Sequence, residues 1–178
     1  RVKTNRAEYI ENDHLKNYKS YLKEEYALVE CEKALSWYNS LPKTKNSFGP
    51  IHGDIHFGNF FYTQDKEITF FDFDDFSNGF YIFDIGIHLY YTLGMFIHHG
   101  EPNHYENYKA KFIKGYKSHY DLDPKWFDYI DEVIRFRTID LYSWMNKMYP
   151  LNELTPKQER MFETYRKRWD QVNLFELE

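Results

Sequence analysis

Residues Ile51 to Asp84 read IHGDIHFGNFFYTQDKEITFFDFDDFSNGFYIFD, and the rest of the chain is best understood from this stretch outward. Within it, Asp54 is followed by four residues and then Asn59. An acidic cluster (Asp72, Asp74, Asp75) closes an apolar run, and Asp84 opens the next long apolar-periodic segment. The run Ile68-Thr69-Phe70-Phe71 predicts a strand that pins Asp72 at its end. Asn59-Phe60-Phe61-Tyr62 predicts its hairpin partner, with Thr63 to Lys66 as the turn. Gly53 and Gly58 are expected to let the backbone bend tightly around Asp54.

The order H-x-D-x-x-x-x-N, then D-F, matches one phosphoryl-transfer arrangement, in which H-R-D-x-x-x-x-N supplies a base and a metal ligand and D-F-G the second ligand. A hydroxyl acceptor needs a carboxylate to take its proton, and Asp54 is the candidate catalytic base. Magnesium is a hard cation that takes oxygen ligands and keeps several waters, so a few protein oxygens suffice. Asn59 and Asp72 are the candidates. His52 and His56 flank Asp54. H-x-D-x-H spacing also admits a transition-metal site, but the expected role of such histidines is to brace the loop by hydrogen bonds. Asp74 and Asp75 stay open between three readings: surroundings of the metal, attraction of a cationic substrate, or plain solvated carboxylates.

HGDIHFGN, then FFDFDD, then YIFDIGIH together resemble the aminoglycoside phosphotransferase and choline kinase-like superfamily, small-molecule relatives of the protein kinases. The likeness is dense over residues 50 to 92 and general elsewhere. It implies that Asp54 is the base, that Asn59 and Asp72 hold Mg2+, that ATP is the donor, and that Asp84 and His52 brace the catalytic loop. His56, Asp74 and Asp75 would lie around the metal or the substrate. It also implies an α+β, mostly helical fold: a protein-kinase-like C-terminal lobe with one small catalytic hairpin. Such kinases carry a Gly-rich phosphate cover and a lysine on a smaller N-terminal lobe. Only Gly49 and Gly53 precede Asp54, and no strand-rich meander is present. Residues 1–178 are therefore expected to be the C-terminal lobe alone, nearly inactive by itself, with a one-lobed relative as the alternative. Protein kinases of the ordinary kind have arginine before the base. Gly53 stands there, which favours a small-molecule acceptor.

Composition agrees with one folded lobe. The 178 residues are 42% hydrophobic and 21% aromatic, too rich in large apolar groups for disorder. A net charge of -5 and the lack of a long basic run argue against nucleic acid as partner. Cys31 is the single cysteine and suits a reducing, cytoplasmic compartment. No apolar run reaches the roughly 20 residues that span a bilayer. The expected partners are a nucleotide and a small hydroxyl acceptor, with amino-bearing molecules of the aminoglycoside, choline, ethanolamine or homoserine type among the candidates. Oligomeric state is left open.

Along the chain, residues 5 to 40 read as one or two helices, with Tyr18, Tyr21, Leu22, Tyr26, Val29, Leu35, Trp37 and Tyr38 in the apolar stripe. Lys43 to Pro50 reads as a polar connector and Phe76 to Phe80 as a loop. Helices are predicted over about 81–98, 103–119, from Pro124 to about Met148, and from Thr155-Pro156 to about Val172. His88, His98, His99 and His104 read as ordinary surface or interface histidines. Aromatic residues such as Tyr90, Tyr91, Trp126, Tyr142, Trp144, Tyr149 and Trp169 read as mostly core, with a subset available to box an ammonium group.

Two readings of other classes compete. ITFFDFDDFS resembles the D-x-D opening of haloacid dehalogenase-type phosphatases, though Phe76 replaces the expected threonine and strand–helix alternation is missing downstream. A non-catalytic kinase-like binding domain is the second, against which stands the intact set of Asp54, Asn59 and Asp72.

Overall fold

The computed structural model describes residues 6–170 and, of these, the side chains up to residue 167. In chain order, α1 (Asp13–Lys16), α2 (Tyr18–Tyr21) and α3 (Glu25–Ser40) precede β1 (Phe48–Ile51), β2 (Phe60–Tyr62), β3 (Ile68–Phe70) and β4 (Ser77–Phe80). Then come α4 (Tyr81–His98), α5 (Tyr105–Lys117), α6 (Ile130–Met148) and α7 (Pro156–Asp170). The described chain divides into two compact units, one of residues 6–9 and 42–134, the other of residues 10–41 and 135–170.

The first unit is built on α4. Its sequence is apolar almost all round, which suits a helix surrounded by protein. Ile82, Phe83, Ile85, Ile87 and Leu89 are all buried. Gly86 lets α4 lie close to α6, for a Cβ there would lie 2.4 Å from Val133 Cγ1. Two antiparallel pairs lead into the helix. β2 and β3 form the expected hairpin, with Phe60 opposite Phe70 and Tyr62 opposite Ile68. Its turn closes where Lys66 takes a left-handed φ of 65°.

The second pair, β1 with β4, corrects the sequence reading of a polar connector and a loop. Neither segment carries a strand-like alternation, since FGPI and SNGF hold two glycines and a proline and only Ile51 is β-branched. They pair because of what lies around them: Phe48 packs edge-on against Phe80 at 5.0 Å, and a Cβ on Gly79 would strike Ile51 at 2.4 Å. The amide of Asn78 then bonds outward to Ala7 O, while its side chain donates to Arg6 O. Both described sheets are antiparallel pairs, which does not match the parallel sheet of a D-x-D phosphatase.

The second unit corrects the helix read over residues 5 to 40. It breaks into a 3-10 turn (Tyr9–Glu11), two single-turn helices and one long helix, α3. Tyr26 and Val29 fall on the exposed face of α3, and the buried line is Ala27, Cys31 and Tyr38. Phe136 of α6 meets Trp37 and Tyr38. Burial pushes the Cys31 thiol up to about 12, so it packs as a small apolar group. Buried Asp140 is paired by Arg137 and His14, each at 2.6 Å.

Caps placed the later helices well. Asp123 accepts from the Lys125 N–H before Pro124, although the first turn there is 3-10 and α6 begins at Ile130. Thr155 and Gln158 bond each other's backbone amides reciprocally at the start of α7, a capping box. The predicted end near Val172 and the ring of Trp169 lie outside the described residues. Among the described residues, no helix is long and apolar enough to cross a membrane.

Candidate active site

The hairpin register does the first work. With Phe60 opposite Phe70, Asn59 falls opposite Phe71, and the Phe71 N–H donates to Asn59 O at 3.1 Å. Asn59 and the neighbour of Asp72 are thus held at one end of the hairpin. His52 fastens the same corner. Its Nε2–H donates to Phe71 O at 3.0 Å, its Nδ1 accepts from the Asp54 N–H at 3.3 Å, and its ring rests on Phe73 at 4.6 Å.

Asp84 ties the other side of the loop. Its carboxylate accepts the N–H groups of His52 at 3.0 Å and Gly53 at 2.9 Å. It stands in the first turn of α4, where the helix dipole favours an anion. Burial nevertheless wins over these bonds and raises its pKa above the ordinary aspartate value. Gly53 has a φ of 83°, and a Cβ there would lie 2.5 Å from Asp75 O, so no other residue fits between the loop and the turn at Asp75.

These ties leave the Asp54 carboxylate facing several donors. Asn59 Nδ2 donates to Asp54 Oδ2 at 3.2 Å and to Asp54 O at 3.0 Å. His56 Nδ1 accepts the Gly58 N–H at 2.9 Å, so Nε2 carries the proton and faces Asp54 Oδ2 at 3.4 Å. Tyr91 Oη donates to Asp54 Oδ1 at 3.1 Å, its ring 4.7 Å from that of His56. Sequence reasoning missed Tyr91 as a site residue. It lies on the same α4 face as Asp84 and His88, seven residues and two turns on from Asp84, and that periodicity was the available signal.

The ring nitrogens of His52 and Nδ1 of His56 are occupied by backbone partners, which removes the transition-metal reading of H-x-D-x-H. Among the described residues, no three His, Cys, Asp or Glu side chains gather as such a site would need. The donor set fits a hard cation instead. The Asn59 NH2 group is engaged by Asp54, so its amide oxygen is the atom of that side chain suited to a cation, and Asp72 is exposed. Asp72 holds a left-handed φ of 61°, a strained backbone for a residue with a side chain. Asp74 and Asp75 are exposed on the adjoining turn, closed by the Phe76 N–H to Phe73 O.

His88 departs from expectation. It is 3% exposed, bonded to Tyr108 Oη at 2.7 Å and stacked on Phe112. Burial pushes its pKa down to about 4. His98, His99 and His104 are exposed as expected. His88 borders a cavity of about 460 Å³ beneath the hairpin, with Phe60, Phe70, Tyr81, Asp84 and Tyr116 among its walls. Of the aromatic residues read as core, Tyr90, Trp126 and Tyr142 are buried, whereas Trp144 is exposed.

Residues 3–129 match the phosphotransferase enzyme family. The chain belongs to that family. Within it, an amicoumacin kinase of Bacillus subtilis (strain 168) is 30% identical over 166 residues, which is 91% of this chain and 49% of the relative. A solved amicoumacin kinase, hAmiN in complex with AMP-PNP, Ca2+ and Ami, superposes with a TM-score of 0.82 at 26% identity. It covers all of this chain, which in turn covers 55% of it. The chain therefore spans about half the length of these relatives.

Proposed function

We propose that this chain is the C-terminal, catalytic and substrate-binding lobe of an ATP- and Mg2+-dependent kinase acting on a hydroxyl of a small molecule. The observation that carries the reading is the Asp54 carboxylate, gripped by Asn59, His56 and Tyr91 on a loop that His52 and Asp84 fasten to the hairpin and α4. In this reading Asp54 takes the proton of the acceptor hydroxyl. The acceptor oxygen forms a bond to the γ-phosphorus, and the bond to the bridging oxygen breaks, its electron pair leaving on the diphosphate of ADP. Asn59, through its amide oxygen, and Asp72, through its carboxylate, would hold magnesium. When bound, that ion neutralises charge on the phosphates. His52 and Asp84 act as braces and do not touch substrate.

The relatives named as amicoumacin kinases, one of them solved with AMP-PNP and Ca2+, support a nucleotide donor, a divalent cation and a small-molecule acceptor. An amino-bearing acceptor is favoured by the exposed carboxylates of Asp74 and Asp75. The buried, free Cys31 goes with a cytoplasmic setting.

The test is ADP release by the complete gene product with Mg-ATP over a panel of aminoglycosides, amino alcohols, homoserine and sugars. We expect release that depends on one acceptor and vanishes in Asp54→Asn with ATP affinity kept. Asp72→Asn should keep the fold, since asparagine tolerates the left-handed backbone, and should weaken Mg-ATP binding as well as transfer. Full activity in either variant would remove the role assigned to that residue. Failure to bind ATP at all would favour a non-catalytic binding domain.

A further inference from the structure

The groups that hold Asp54 differ in one chemical respect. Asn59 Nδ2 can only donate, and it is spent on Asp54 Oδ2 and Asp54 O. His56 Nε2 is also fixed as a donor, because Nδ1 is the acceptor for the Gly58 N–H. Both face Oδ2. Oδ1 is held by a hydroxyl, that of Tyr91 at 3.1 Å, and a hydroxyl is both donor and acceptor. If a proton arrived on Oδ2, it would point at donors with no lone pair to offer. On Oδ1 it meets an oxygen that can turn and accept it.

From this we infer that Tyr91 is a positioning residue that directs the acceptor's proton to Oδ1 of Asp54, donating to the carboxylate before transfer and accepting from the carboxylic acid after it. The inference rests on the phosphotransfer reading above. The balance is simple. The acceptor hydroxyl loses its proton to Oδ1, its oxygen bonds to the γ-phosphorus of ATP, and ADP departs with the electron pair of the broken bond. Tyr91 keeps its own proton and only rotates its O–H. Its place is set by α4, whose first turn is anchored to the catalytic loop through Asp84 and whose third turn brings the phenol to Asp54.

Tyr91→Phe tests this in the complete gene product, because the ring that packs on His56 is kept and only the oxygen is lost. A hydrogen bond to a charged group is worth enough to predict a fall in kcat of roughly tenfold or more. The KM for ATP should stay within about twofold, since the phenol does not take part in holding nucleotide. A ring-fluorinated tyrosine at position 91 keeps a hydroxyl on a ring of nearly the same shape and should retain most of kcat. Tyr91→Phe with unchanged kcat overturns the inference. So does an equal fall in kcat in the fluorinated variant, or a KM for ATP raised as much as kcat falls, either of which would mean a packing role only. Asp54→Asn is run beside them. If it keeps activity the phosphotransfer reading itself fails, whereas an inactive Asp54→Asn with a fully active Tyr91→Phe sinks only the role of the tyrosine.

Discussion

His88 carries a pH dependence that can be read in stability. Its folded pKa is about 4 against an ordinary value of 6.5, because burial disfavours the charged ring. The unfolded chain therefore takes up a proton before the folded one does. The contribution of neutral His88 is present above the ordinary value and is lost as pH falls from there toward about 4. The loss should amount to about 3 kcal/mol across that window, at 1.36 kcal/mol per unit. Urea melts at neutral pH and near about pH 5 should show it, and His88→Phe, which retains the stack on Phe112, should flatten the difference. An unchanged slope in the variant would assign the acid loss to other groups. The raised pKa of Asp84 works the other way: its contribution is present at low pH and is lost as pH rises through the raised value.

At the scale of elements, the α4–α6 contact at Gly86 is a tight point in the first unit that a side chain would disturb. Gly86→Ala would gain helix propensity but drive a methyl into Val133, so a net loss of roughly 1–3 kcal/mol is expected in denaturant unfolding. Val133→Ala in the same chain should restore part of it, and additive losses would show that the two positions are not coupled. The same helix shows what was legible in the sequence. Tyr81 to His98 was readable end to end from its apolar density, and the hairpin from its alternation and its turn, because those signals are local. β1 and β4 were not, since glycines and a proline pair there through tertiary packing of Phe48, Phe80 and Ile51. The break of residues 5 to 40 into short turns was hidden because Tyr26 and Val29 keep a helical spacing while facing solvent. At the site, the motif named Asp54, Asn59 and Asp72, but Tyr91 has no motif and is found only when the helix is set against the loop.

At the scale of the whole molecule, the exposed large apolar side chains of the described residues are densest in one stretch. Phe57, Phe61, Tyr62, Ile68, Phe70 and Phe73 range from 43% to 65% exposed, all on or beside the hairpin. A patch of this kind marks a surface that associates. The 178-residue chain alone should therefore self-associate with rising concentration in light scattering, and Phe61→Lys with Tyr62→Lys should suppress this without lowering the melting temperature. Unchanged scattering in that double variant would clear the hairpin. The same isolated chain should release no ADP from Mg-ATP with any acceptor, since no Gly-rich phosphate cover is found in residues 6–170; turnover equal to that of the complete gene product would support a one-lobed enzyme.

The left-handed backbone at Asp72 also bears on how the gene can fail. Both aspartate codons lie one base from codons for asparagine, glycine and histidine, residues at ease in that conformation. On the role proposed for Asp72, each such change would delete the carboxylate and leave the turn intact. Screens that score abundance and screens that score activity should then disagree sharply at this codon. Inactive alleles that still accumulate as folded protein are a single base from the working gene.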